Sequence, residues 1–285
     1  MTTWLITGCS TGLGRALAAA VLEAGFNAVV TARDPRTVQD LVWTYPDTAA
    51  LAALDVTKRD QVERAVRLAQ DRFGAVDVLV NNAGHGYRAA VEEADEEEVA
   101  DLFATNFFGA VSMIRAVLPM MRARRSGTIV NVSSIAGRRA APGSGYYSAS
   151  KFALEGMSDA LRQEVGPLGV RVMVVEPGAF RTDFAGRSLQ QAKAYITDYA
   201  STAGPRRKEN DKSHGTQPGD PARAARALIK VVQGATLPFR LLLGSDAVDF
   251  VRTEMDSQRQ ELEDWKEISL STDFATQPEL GGAKS

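Results

Sequence analysis

The 285-residue chain has one cysteine, Cys9, and two histidines, His85 and His214. A lone cysteine excludes an internal disulfide and any multi-cysteine metal site. Two histidines far apart in sequence, without HExxH-type spacing, leave no pattern for a metal centre. Charge of one sign is lacking too: 33 Lys and Arg stand against 35 Asp and Glu, a formal net charge of −2. No basic excess argues for nucleic acid or a membrane surface as partner. No uninterrupted apolar run approaches the ~18 residues that span a bilayer. The opening Met1-Thr-Thr-Trp-Leu-Ile-Thr lacks the basic start and long apolar core of a signal peptide. A cytoplasmic protein is the simplest expectation.

What is present is enough apolar material for a substantial core, 45% of all residues. Its pattern alternates between short apolar runs and helical periodicity. Strands are expected at Trp4–Thr7, Ala28–Thr31, Leu51–Leu54, Val76–Val80, Thr128–Val132, Val170–Val175 and Phe239–Leu243. Between them lie helical faces: Leu13, Leu17, Ala20, Val21 and Ala24, then Val62, Val66, Ala69 and Phe73. A long helix is expected over Glu96–Arg122, another over Tyr146–Val165, and one that opens on Asp220 as N-cap with Pro221 behind it. Strand and helix in alternation, with short connections, imply a parallel sheet covered on both faces. No repeat or linker divides the chain, so residues 1–285 are expected to form one domain. The polar stretch 183–219 breaks the rhythm and is expected to be a surface loop that closes over a ligand. A C-terminal helix is expected over 245–267 and a flexible tail over 274–285.

Two constellations carry chemistry. The first strand ends in Thr7-Gly8-Cys9-Ser10-Thr11-Gly12-Leu13-Gly14 and a helix follows. Glycines there let the backbone approach a pyrophosphate, whose charge faces the helix N-terminus. At the end of the second strand, Ala32 leaves no carboxylate to hold a ribose 2′-hydroxyl, and Arg33 offers a charged fork suited to a 2′-phosphate. Asp34 follows directly, and a shift of register would bring it to the ribose instead. The second constellation is Tyr147-Ser-Ala-Ser-Lys151, preceded by Ser133-Ser134. Tyr147 and Lys151, at i and i+4, share a helix face. An ammonium beside a phenol lowers the phenol pKa, which suits proton transfer to a developing alkoxide.

Taken together, Thr7-Gly8-x3-Gly12-x-Gly14, Asn81-Asn82-Ala83-Gly84, Asn106, Ser134, Tyr147-x3-Lys151 and Pro177-Gly178 resemble the short-chain dehydrogenase/reductase family, in its compact single-domain branch. Ile6-Thr-Gly-Cys-Ser-Thr-Gly-Leu-Gly, Ala32-Arg33-Asp34 and Lys151-Phe-Ala-Leu-Glu155 are similar to 17β-hydroxysteroid and retinol dehydrogenase-like members. The resemblance implies an α/β fold, a Rossmann-like doubly wound sheet of about seven parallel strands. It also implies an oxidoreductase that moves a hydride between NADP(H) and a hydrophobic carbonyl or secondary alcohol. Tyr147 would be the acid/base, Ser134 the hydrogen-bond donor to the substrate oxygen, with Ser133 the alternative. Lys151 would bind the nicotinamide ribose, and Asn106 would hold a water in the proton relay. Gly8, Ser10, Thr11, Gly12, Leu13, Gly14 and Arg33 would hold the adenosine and phosphates, and Asp55 and Val56 the adenine. Asn82, Ala83 and Gly84 would line the cleft, with Pro177, Gly178 and Thr182 at the nicotinamide end. Phe180, Phe184, Tyr195 and Tyr199 are candidates to contact substrate. The resemblance further implies a homodimer or homotetramer formed through the long helices. A non-catalytic NADP(H)-binding regulator and a sugar-nucleotide epimerase are the alternatives; the intact Tyr-Lys-Ser-Asn set and the short chain after Pro177 argue against them.

Overall fold

The computed structural model describes residues 1–186, 188–213 and 215–274. His214 and nearly all of the tail expected over 274–285 lie outside the described residues. The strands are β1 (Thr3–Ile6), β2 (Asn27–Ala32), β3 (Ala49–Ala53), β4 (Val78–Asn81), β5 (Gly86–Arg88), β6 (Gly127–Val132), β7 (Val170–Pro177), β8 (Leu189–Gln191) and β9 (Arg240–Leu243). Seven of them form one parallel sheet in the order β3-β2-β1-β4-β6-β7-β9. This is the doubly wound, Rossmann-like sheet expected from the sequence.

The helices are α1 (Gly12–Glu23), α2 (Gln39–Thr44), α3 (Arg59–Phe73), α4 (Glu96–Phe103), α5 (Ala110–Arg124), α6 (Gly145–Val165), α7 (Gly204–Ser213), α8 (Pro221–Gln233) and α9 (Ser245–Leu270). Side chains alternate across each strand, so one strand feeds two cores. Trp4 and Ile6 pack with Leu17, Val21, Leu41, Leu228 and Val232 on the face covered by α1, α2 and α8. Leu5, between them, packs on the other face with Val62, Val66, Met113, Val117 and Leu161 from α3, α5 and α6. The strands are apolar almost throughout because both faces are covered.

Two elements differ from the sequence reading. The helix expected over Glu96–Arg122 is interrupted by a π-helical turn, Ala104–Gly109, which carries Asn106. One extra residue per turn lets Asn106 point inward, where a regular helix would present it differently. Glu96 to Arg124 spans 29 residues and holds an 18-residue window of mean hydropathy 1.4, long and apolar enough to cross a membrane. Asn106 and Arg115 punctuate that run, which is why it does not read as an uninterrupted apolar stretch. In the fold its Met113, Ile114, Val117 and Met121 pack onto the sheet. Finally, the polar stretch 183–219 is not featureless. It contributes β8, which pairs in parallel with β5, and then α7.

The same segment is pinned by a buried carboxylate. Glu93, with 1% of its side chain exposed, accepts from Arg207 Nη2 at 2.6 Å, Ile196 N at 2.8 Å and Ala90 N at 2.9 Å. Burial works to raise its pKa, but these donors prevail and hold the carboxyl below the usual range.

Candidate active site

The strand order reverses between β1 and β4, and the crevice beyond their carboxyl ends is where open α/β sheets bind ligands. Two loops meet there. Gly8, with φ of +72°, turns the chain after β1, and an added Cβ would stand 2.9 Å from Ala83 Cα. Gly14 is tighter, since a Cβ there would lie 2.3 Å from both Asn82 Nδ2 and the Gly8 carbonyl oxygen. Asn82 holds the two loops together: its Nδ2 donates to the Thr7 and Gly8 carbonyls at 2.9 and 3.0 Å. Thr7 Oγ1 accepts from the N–H groups of Asn82 and Ala83, both at 2.9 Å. The Thr7 hydroxyl was not singled out as a site residue, although it occupies the first position of the motif.

Ser10, Thr11, Gly12 and Leu13 lead into α1. No side chain caps that helix, so its first N–H groups face the cleft with their dipole uncompensated. Thr182 lies across from this turn, with its Cβ 3.5 Å from where a Gly12 Cβ would be. At the end of β2, Ala32 is buried and Arg33 exposed. Arg33 is close enough to influence both Asp55 and His85 electrostatically. Asp34 is committed elsewhere: it receives Arg36 Nη2 at 2.7 Å and Arg36 Nε at 2.9 Å, and caps the turn that follows. Asp55 accepts the Thr57 N–H and hydroxyl at 3.0 and 2.7 Å. Partial burial opposes ionisation there, but Thr57, Lys58 and Arg33 hold the carboxyl below the usual range. Val56 is buried against Gly109, leaving no room for a Cβ at that glycine.

The second half of the site hangs on α6 and the turn after β6. Ser134 begins that turn, its Oγ accepts from Ala136 N at 3.1 Å, and it lies close enough to the Tyr147 phenol to favour its ionised form. Ser133 is the more deeply buried of the pair, packed against Gly137. Tyr147 and Lys151 are both buried, with Lys151 Nζ 5.8 Å from the centre of the phenol ring and donating to the Val132 carbonyl at 3.0 Å. Gly84 lies beside this ammonium: a Cβ there would stand 3.7 Å from Lys151 Nζ and 3.0 Å from Asn106 Oδ1. Asn106 is clamped to the backbone of His85, accepting its N–H at 3.0 Å and donating to its carbonyl at 2.9 Å. Its Nδ2 also reaches Ser150 Oγ at 3.2 Å. Pro177 ends β7, and Gly178 abuts the carboxylate of Asp246, which accepts Ala179 N at 2.7 Å.

The electrostatics differ from the sequence expectation at one point. Burial pushes the Tyr147 phenol above its ordinary pKa; the Ser134 hydroxyl and the charges of Arg88 and Arg206 offset this only in part. Burial also draws the Lys151 ammonium down to about 8, against the attraction of Glu155. A helix-face argument counts the ammonium but not the desolvation of both groups. Arg88, buried and bonded to Ser144 Oγ at 2.9 Å, had no signal in the sequence. Of the four aromatic candidates, Phe184 meets Tyr147 at a ring distance of 5.8 Å. Phe180 packs at Gly219, Tyr195 lies near the Arg207 guanidinium, and Tyr199 donates to Glu92.

The profile of the short chain dehydrogenase family matches residues 2–193. Oxidoreductase BOA17 of Botryotinia fuckeliana is 38% identical over 270 residues, 94% of this chain and 98% of that one. Retinol dehydrogenase 8 of Bos taurus is 33% identical, over 84% of this chain and 80% of its own. A solved short-chain dehydrogenase from Streptomyces avermitilis superposes with a TM-score of 0.89 at 43% identity, covering 96% of this chain and all of that one. Two more distant structures hold nicotinamide cofactors. An alcohol dehydrogenase from Thermococcus sibiricus is complexed with 5-hydroxy-NADP (26% identity, TM-score 0.68, 85% of this chain and 96% of that one). A 3-ketoacyl-(acyl-carrier-protein) reductase from Brucella melitensis is complexed with NADH (25% identity, TM-score 0.70, with the same coverage). With the glycine cradle at the switch point and the Ser-Tyr-Lys cluster beside it, these matches make the chain a member of the short-chain dehydrogenase/reductase family, an oxidoreductase on a nicotinamide-cofactor fold.

Proposed function

We propose that the protein is an NADP(H)-dependent oxidoreductase acting on a hydrophobic carbonyl or secondary alcohol, with Tyr147 as the acid/base. The observation that carries this reading is the cluster of half-buried Ser134 with buried Tyr147 and Lys151, set beside Gly84. The cradle fits a dinucleotide, because Gly8 and Gly14, where a Cβ would strike Ala83, Asn82 or the Gly8 carbonyl, let the turn after β1 close against the loop after β4 and keep the start of α1 free of side chains. The uncapped start of α1 would hold its charge. Arg33 at the end of β2, with Asp34 turned to Arg36, favours a 2′-phosphate over a free ribose hydroxyl. Asp55, Val56, Asn82, Ala83 and Gly84 would line the adenine and ribose side, and Pro177, Gly178 and Thr182 the nicotinamide side.

A reduced nicotinamide cofactor held by these residues would supply a hydride to the carbonyl carbon. Tyr147 donates its phenolic proton to the carbonyl oxygen, so the carbonyl becomes an alcohol and the phenol a phenolate. Ser134 donates a hydrogen bond to that oxygen as negative charge builds on it. Lys151 faces the resulting phenolate and, through Gly84 and Asn106, the path by which a proton returns. A phenol held above its ordinary pKa is fully protonated at neutral pH, which favours the reductive direction. Phe184 against Tyr147 gives the substrate side an apolar wall, in keeping with a hydrophobic carbonyl. Phe108 and Phe152, exposed on the π-turn and on α6, support self-association through these long helices.

The test is NADPH oxidation against a panel of hydrophobic ketones, aldehydes, steroids and quinones. Wild-type turnover is expected, with loss of about 10²–10⁴-fold in Tyr147→Phe while NADPH still binds. Undiminished turnover in that variant would remove the mechanism.

A further inference from the structure

Behind the site lies a pair of carboxylates that the proposed reaction does not use. Glu155 follows Tyr147 and Lys151 at the next i+4 step, so the three share one face of α6. Glu176 is the penultimate residue of β7, directly before Pro177-Gly178. Both are buried, Glu176 completely. The two carboxylates meet at one guanidinium nitrogen, with Arg240 Nε 2.9 Å from Glu155 Oε2 and 3.4 Å from Glu176 Oε1. Two ionised carboxylates buried this close repel each other, and a proton on one of them relieves the repulsion. Glu155 Oε1 is buried with no hydrogen-bond partner among the described residues.

The charged groups that face this pair come from four elements. Arg138, in the turn that starts at Ser134, reaches Glu176 at 3.2 Å. Arg240 on β9 donates to Glu155 at 2.9 Å and approaches Glu176 at 3.4 Å. Lys151 on α6 is attracted by Glu155. From α9, Glu254 is taken by Arg139 at 3.4 Å and Asp246 by Ala179 N. Every segment that carries the proposed chemistry is therefore tied to this pair: the Ser134 turn, the Tyr-Lys helix and the Pro177-Gly178 edge.

We propose that Glu155 and Glu176 share one proton and act as a positioning pair, whose protonation sets the charge and placement of Lys151. With one proton the pair is a single anion clasped between Arg138 and Arg240. When that proton leaves, two neighbouring carboxylates repel, and Glu155 carries a full charge one helical turn from the Lys151 ammonium. The balance is an acid–base one: the proton passes to solvent and no other bond changes. Burial, then the Glu155 charge, lift the Glu176 carboxyl well above the usual carboxylate range, while Arg138 opposes this. For an acid raised in this way the native state holds the proton longer than the unfolded chain. Stability is therefore undiminished below the unfolded pKa and falls as pH climbs toward neutrality.

The inference rests on the short-chain reductase reading for what Lys151 does, so its test includes readouts that need no turnover. Infrared titration of the full chain should show a protonated carboxyl band that fades as pH rises through about 6 to 8. That band should be absent in Glu176→Gln, or in Glu155→Gln if the first variant folds poorly. The wild-type melting temperature should fall between the ordinary carboxylate pKa of 4.5 and about 7 and level off above it, and the Gln variant should lack this fall. With a carbonyl substrate, Glu176→Gln should lower kcat about tenfold, keep KM for the carbonyl within about threefold, and flatten the pH profile of kcat/KM. Glu176→Ala should lose more, because Gln can still accept from Arg138 and Ala cannot. A band that persists in both Gln variants, or none in the wild type, overturns the proposal. If no carbonyl turns over, the functional reading fails while the infrared and melting titrations still decide the proton-sharing pair.

Discussion

Gly14 and Gly156 both sit inside helices, α1 and α6, and the same substitution should act on them with opposite sign. Replacing a helix-interior glycine by alanine contributes about 1 kcal/mol through lost unfolded-chain entropy. At Gly156 an added Cβ meets nothing within 4 Å, so Gly156→Ala should stabilise by about 0.5–1 kcal/mol. At Gly14 the methyl would lie 2.3 Å from Asn82 Nδ2 and from the Gly8 carbonyl. Overpacking of that kind costs about 1–3 kcal/mol. Moving the Asn82 amide also breaks its bonds to the Thr7 and Gly8 carbonyls, at about 1 kcal/mol each. Set against the helix gain, Gly14→Ala should destabilise by about 2–4 kcal/mol. Urea denaturation of the two variants beside the wild type measures the difference directly, and NADPH fluorescence titration adds the cofactor side. Gly14→Ala should bind NADPH far more weakly, and Gly156→Ala should bind as the wild type does. A Gly14→Ala protein as stable as Gly156→Ala would refute the argument that close approach, rather than turn geometry, places glycine at that position.

Two other substitutions test the cleft. Arg33→Ala should weaken NADPH much more than NADH, by about tenfold or more for the loss of one charge-assisted pair; equal weakening of both, measured as Kd, would show that Arg33 does not read the 2′-phosphate. Lys151→Met should abolish turnover and yet raise stability at pH 7 by about 1–3 kcal/mol, since a buried ammonium drawn down to about 8 is a cost to the native state. The sign follows from proton counting: between the folded value near 8 and the ordinary 10.5 the unfolded chain binds more protons. Wild-type stability should thus rise with pH across that window, and in Lys151→Met this rise should disappear from the melting curves.

Much of the architecture was legible because it rests on local rules. Alternating apolar runs marked all seven strands of the main sheet, and a two-sided sheet demands such runs. The glycines of 8–14, Asn82 and the Tyr147–Lys151 spacing were readable because each rests on a short-range requirement. The features that escaped are contacts between distant segments. Glu93 and Arg207 are 114 residues apart, and neither differs in sequence from a surface charge. Nothing in its local sequence marks Arg88, and the β5–β8 pairing joins two three-residue strands too short to show periodicity. The π-turn at Asn106 has no pattern in sequence, since it is set by what the side chain meets, the His85 backbone and Ser150.

By itself, then, the sequence determined the parallel sheet, the family resemblance and the residues of the proposed chemistry, since backbone conformation and helix spacing depend on near neighbours. The tertiary structure alone decided their electrostatic state. Whether Tyr147 is pushed up, Lys151 drawn down, or Glu176 kept protonated depends on how much water and which charges surround each group. Those surroundings are assembled from β6, β7, β9, α6 and the turn after Ser134, and come together only when the chain is folded.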